Sequence, residues 1–209
     1  MSDDRALRAA SPGRRRALLP LAAAMLIAAG GCGPLVTQSP GGTLRPVNAQ
    51  SGESGARVIL GGHDVVAYFT EGRHRPGDPR HASVHEGVTF LFATADHKTR
   101  FDANPAAYVP QYGGYCANGI VYAIPWGGDA DSWRIIDGRL FIFGGAASKA
   151  AFELDVPGNL KLADAYWKDE VAGSNALVQR MRRLAFKVPH YRTGAELAQA
   201  VAARGATGR

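Results

Sequence analysis

Cysteine is nearly absent from this 209-residue chain, which has only Cys32 and Cys116. Cys32 ends an apolar leader; if it is lipidated, Cys116 has no intramolecular partner and no disulfide framework is expected. The chain contains no Cys-x-x-Cys, His-Glu-x-x-His, Gly-x-Ser-x-Gly or Gly-rich phosphate loop. These absences remove the usual signals for a thiolate metal site, a metalloprotease helix, a nucleophile elbow and a nucleotide cradle. The apolar run over residues 17–29 is too short for a membrane-crossing helix, which needs ~20 residues.

Basic charge over the folded part is also missing. The formal net charge is +6, but its distribution is uneven. Residues 1–31 hold five Arg against two Asp, and residues 32–173 hold twelve basic and fifteen acidic side chains. From Ser174 onward seven basic residues face one acid, Glu196. A mildly acidic domain with a basic tail is not the charge pattern of a nucleic-acid binder.

Residues 1–31 read as an export signal, with Arg14, Arg15 and Arg16 before the apolar run. Arg15-Arg16-Ala17-Leu18-Leu19 resembles a twin-arginine signal, a plain charged leader being the alternative. Ala29-Gly30-Gly31-Cys32 resembles a lipoprotein cleavage site, with Ala29 where Leu is usual, and makes Cys32 the expected lipidation site. Residues 32–56 are rich in Gly, Ser, Pro, Gln and Thr without an apolar period. They read as a tether reaching roughly 25 Å. Together these features lead to the expectation of a protein on the periplasmic side of a bacterial envelope, lipid-anchored to a membrane.

The densest structural signals lie in residues 86–116. Val88, Phe90 and Phe92 alternate with Thr89, Leu91 and Ala93, as in a half-buried strand. Thr94 is placed to cap a helix with Asp96 in its first turn, and His97 and Phe101 share one face of it. Asn104-Pro105 restarts the chain as a second short helix, and Gly113-Gly114 permits a tight turn before Tyr115 and Cys116. A strand starting there would aim Tyr115 outward and Cys116 toward the helix face of His97.

Outside this stretch, residues 65–69 form either a strand or a short buried helix, and residues 120–126 an extended run. Asp137-Gly138 between Trp133–Ile136 and Leu140–Phe143 is the strongest hairpin signal. Ser148 is the expected cap of a helix that Pro157-Gly158 stops, and a second helical run follows over 159–171.

Residues 86–116 resemble the YHS domain in Phe90-Leu91-Phe92, Phe101, and Asn104-Pro105 with Tyr108. The runs PQYGGYCANG, DVVAYFTEG, SWRIIDGRLFIF and DVPGN are similar to an exported branch of that family, so the resemblance spans roughly residues 60–168. It implies an α+β fold over residues 57–172, with a small antiparallel sheet and short helices. It also implies a binding module often associated with metal handling. The chain departs from the metal-binding members in lacking Cys-Pro-x-Cys-Gly and the two cysteines after the aromatic pair, where Ala93 and either Asp96 or His97 stand, His97 aligning better against Phe101. The name-giving triplet survives only as His81-Ala82-Ser83. A remaining set of Cys116, His97 and His81 would suit copper or zinc. The alternatives are an interaction module without metal, or a thiol-dependent enzyme using Cys116, for which no supporting motif is present.

Residues 173–209 lie beyond the resemblance and read as a basic helical extension. Leu177, Val178, Met181, Leu184, Ala185 and Val188 recur at helical spacing opposite Arg180, Arg183 and Lys187. Those three cations are candidates for contact with an anionic membrane surface, the alternative being an apolar face packed on the domain. Thr193 and Glu196 form a capping box for a last helix through Ala203.

Overall fold

The computed structural model describes residues 46–52 and 55–207; the expected export signal, the lipidation site at Cys32 and most of the expected tether lie outside them. The tether's last residues do not run free. Strand β1 (Ala49–Ser51) pairs antiparallel with β2 (Arg57–Ile59). Asn48 accompanies it, its amide donating to the carbonyls of Gly114 (3.0 Å) and Gly128 (2.9 Å). Residues 46–52 therefore already belong to the fold, ahead of the expected start near residue 57.

The fold is α+β. A four-stranded sheet runs in the order β1–β2–β4–β3, with β3 (Asp78–His85) and β4 (Val88–Phe92) antiparallel. It is mixed rather than purely antiparallel, because β2 pairs parallel to β4 at Val58 and Thr89. Between β2 and β3 the 65–69 stretch becomes a single helical turn, α1 (Ala67–Thr70). Asp64 decides this, since its carboxylate accepts from the amides of Val66 (2.8 Å) and Ala67 (3.3 Å).

Helix α2 (Ala95–Ala103) starts at Thr94, whose hydroxyl accepts from the His97 amide, and buries His97 and Phe101 on one face. A 3-10 turn at Pro105–Ala107 follows. Gly113 and Gly114 both adopt positive φ, and a side chain on Gly113 would collide with the Pro46 carbonyl. Residues 120–126 are not extended. Ile120 closes the short helix α3 (Ala117–Ile120), and residues 121–126 follow in a chain of tight turns, with Ala123 at positive φ.

The second hairpin forms as expected, β5 (Asp129–Ile136) on β6 (Arg139–Phe143), with Asp137 and Gly138 both at positive φ. Helix α4 (Ala146–Phe152) begins after Gly145, so Ser148 lies within its first turn and caps nothing. Pro157-Gly158 starts rather than stops α5 (Val156–Tyr166): Pro suits a first turn, and Asp155 accepts from the Gly158 amide. The helix continues into a π-turn at Trp167–Val171.

The C-terminal segment is not an appendage. Helix α6 (Ala176–Ala185) and helix α7 (Gly194–Thr207) close one of two apolar clusters. Ala176 and Val188 are buried there with Tyr112, Tyr115, Phe141, Phe143 and Phe152. The other cluster joins β2 and β4 to Phe101, Leu140 and Ile142. Among the described residues no helix is long and apolar enough to cross a membrane.

Candidate binding cleft

The three side chains expected to form a metal site are held apart in their own surroundings. His97 is buried, and its Nδ1–H donates to Asp64 Oδ2 at 2.7 Å. Its Nε2 faces the Thr70 hydroxyl at 3.2 Å, with a Glu71 carboxylate oxygen at 3.8 Å. Asp64, wholly buried, also accepts from the Ala93 amide at 2.7 Å, so one carboxylate ties α1, the end of β4 and α2 together. Both ring nitrogens of His97 are thus engaged in a structural clasp.

Cys116 does not begin a strand, and Tyr115 and Cys116 are both buried rather than alternating. The Tyr115 hydroxyl donates to the Val47 carbonyl, and burial pushes its pKa up to about 12. The Cys116 sulfur lies 3.0 Å from the Ser148 hydroxyl and beside Gly144. The group against the thiol is therefore a hydroxyl rather than an imidazole base. His81 sits half-buried on β3, while His85, on the same strand, packs edge-on against Phe101. Among the described residues no three His, Cys, Asp or Glu side chains converge to hold a metal. The copper or zinc set of Cys116, His97 and His81 is not assembled, because His97 and Cys116 are committed to different hydrogen-bond networks.

Polar chemistry gathers elsewhere, in a cleft of about 430 Å³ lined by Asn48, Gln50, His63, His74, Asp129 and Asp131. Two backbone devices build it. First, residues 62–64 run beside 75–77: the Gly77 amide donates to Gly62 and the Asp64 amide to Arg75. This pairing brings the rings of His63 and His74 into a stack with centroids 5.7 Å apart. The His63 Nδ1–H donates to the Leu60 carbonyl (3.0 Å), which leaves Nε2 as the open nitrogen.

Second, β5 slips against β6 between Asp129 and Trp133, so residues 130–132 bulge from the ladder. The Tyr68 hydroxyl fixes the bulge by donating to the Ala130 carbonyl at 2.7 Å. Burial, followed by the nearby Asp131 and Asp64, raises the pKa of Tyr68, so it remains a donor across the physiological range.

The bulge carries Asp131, and the paired residue just before it, Asp129, to the cleft. Among the described residues neither lies within ion-pair distance of a basic side chain. Partial burial, and then the like charge of Asp131, raise the Asp129 pKa above the usual carboxylate range. Some exposed carboxylates elsewhere are paired, Asp78 with Arg80, Asp96 with Arg100 and Asp102 with Lys98, whereas Glu86, Asp137 and Asp169 stand without an ion-pair partner among the described residues. At the cleft two unpaired acids lie close enough for one to raise the pKa of the other. The cleft therefore concentrates uncompensated negative charge beside two aromatic rings with polar edges. In sequence, His63 and His74 stand in no motif that singles them out. The one local signal was the pair of acids two residues apart, a spacing that puts both on one side of a strand.

The chain matches no family model, no curated protein and no solved structure.

Proposed function

We propose that the protein is a lipid-anchored binding module of the bacterial envelope whose ligand is a small organic cation taken into the cleft of His63, His74, Asp129 and Asp131. The observation that carries this reading is the pair of aspartates without a basic partner, one of them with weakened acidity. Such a site gains from a positive guest, because the guest relieves carboxylate repulsion and pairs both charges at once. Stacked imidazole faces add contact area for an alkylammonium. A polyamine or an amino group of an envelope component has the required chemistry. The resemblance to exported YHS proteins, the lipoprotein-like Cys32 and the leader support the envelope setting.

Calorimetric titration with spermidine tests the reading, with zinc and copper titrated in parallel. Saturable spermidine binding that weakens with salt is expected, reduced at least about tenfold in Asp129→Asn/Asp131→Asn, since each lost charge pair is worth a kcal/mol or more. Binding unchanged in the double variant would overturn the cleft assignment. Zinc or copper binding that depends on these residues, without spermidine binding, would replace the organic cation by a metal.

A further inference from the structure

Helix α6 is docked with its polarity reversed. Apart from Ala176, the side turned toward the protein is polar: Gln179 and Arg180 are buried, and Arg183 is nearly so. Gln179 Nε2 donates to the Ala123 carbonyl at 3.1 Å and to Glu170, and Arg180 Nε donates to the Pro125 carbonyl at 2.8 Å. The Arg183 guanidinium pairs with Glu170, and the Asn175 side chain caps the helix at Leu177 and Val178. The side turned to solvent is apolar. Leu177 is 60% exposed, Val178 64%, Met181 62%, Leu184 46% and Phe186, just past the helix end, 72%. Of the seven large exposed hydrophobic side chains among the described residues, these are five.

The expected membrane contact through Arg180, Arg183 and Lys187 is corrected here. Arg180 and Arg183 are spent on buried carbonyls and on Glu170, and only Lys187 remains outward, beside the Tyr191 ring. Arg182 stands 57% exposed at the border of the apolar face, with its guanidinium 3.9 Å from the Glu170 carboxylate.

We infer that this face lies on a lipid surface, with Leu177, Met181, Leu184 and Phe186 entering the headgroup–acyl boundary and Arg182 and Lys187 on anionic headgroups. Clustered apolar side chains flanked by long cations suit the interface, where the stems stay in the apolar layer and the charges reach phosphates. Trp126, 43% exposed and covered by the Arg180 guanidinium at 5.7 Å, adds an interfacial aromatic beside the helix. The envelope-lipoprotein reading strengthens the choice of occupant, and in this respect the inference rests on it. Cys32 stands fourteen residues before Pro46, so a lipid at Cys32 keeps the fold within roughly 50 Å of the bilayer even on a fully extended chain.

The test uses the full chain with vesicles rich in phosphatidylglycerol or made of phosphatidylcholine alone, both containing a photoactivatable lipid. Labelled peptides are identified by mass spectrometry. Label is expected to concentrate within residues 177–187 on the anionic vesicles and to fall about tenfold in Leu177→Ser/Met181→Ser/Leu184→Ser, three exposed changes that leave the fold intact. Vesicle-bound protein with no label on α6, or equal label in the triple variant, would overturn the inference. Protection of α6 that rises with protein concentration in the absence of lipid would do the same, by assigning the face to a second copy. Failure of the anchor alone would look different: Cys32→Ser and wild type would both need excess lipid to bind, yet both would take label on α6.

Discussion

His97, a candidate metal ligand in sequence, is held by Asp64 in a structural clasp. The carboxylate collects three backbone amides and an imidazole in a fully buried position, and each of those donors would be stranded without it. Asp64→Asn keeps the shape but turns an acceptor into a donor among donors. It should lower unfolding free energy by about 2–4 kcal/mol, read from urea denaturation, because removing one member of a buried charged network leaves the others unpaired. A loss below 1 kcal/mol would show that water replaces the carboxylate. Cys116 makes a parallel case. Its thiol is buried against Ser148, so native protein should resist alkylation equally with and without chelator and react on unfolding. Reaction that switches on with chelator would restore a thiolate metal site. The cap at Thr94, the shared face of His97 and Phe101, and the Asp137-Gly138 turn were legible in sequence because each is settled within four residues. The clasp on Asp64 was not, since it closes over 33 residues.

At the scale of elements, α6 carried a plain amphipathic signal whose direction the sequence could not give. Apolar faces normally turn inward. Here the tight turns at 121–126, held by Ala123 at positive φ, leave carbonyls that need donors, and Gln179 and Arg180 supply them. The bulge in β5 was hidden for a similar reason, being fixed by Tyr68 from 62 residues away. The docking of α6 should depend on pH. Hydrogen bonds from Arg183, with a smaller contribution from Gln179, hold Glu170 below its ordinary range against an opposing effect of burial. A carboxylate lowered by folding stabilises above its unfolded pKa, and that contribution is lost as pH falls through the lowered value. Fluorine NMR of fluorotryptophan should therefore show Trp126, packed under Arg180, changing environment only once the pH falls below the ordinary glutamate range, and in Glu170→Ala already at neutral pH. An unchanged Trp126 signal in Glu170→Ala would mean that α6 is held by other contacts.

For the molecule as a whole, the boundaries moved outward at both ends. Pro46 to Ser51 complete a sheet edge, and Val188, Tyr191 and Leu197 complete an apolar cluster. Removing residues 174–209 should therefore cost several kcal/mol through lost burial, rather than detach a free tail. Cooperative unfolding at an unchanged temperature would contradict this. The charge division seen in the sequence also takes physical form: acids gather at the cleft, while two of the tail's cations are consumed in docking α6. The most direct measurement is a carbon-detected NMR titration of the Asp129 and Asp131 carboxyl groups, with and without spermidine. A cation site requires Asp129 in the free protein to titrate above the usual carboxylate range and to fall when spermidine is added, since a bound positive charge favours the ionised form. An ordinary Asp129 titration that ignores spermidine would contradict it.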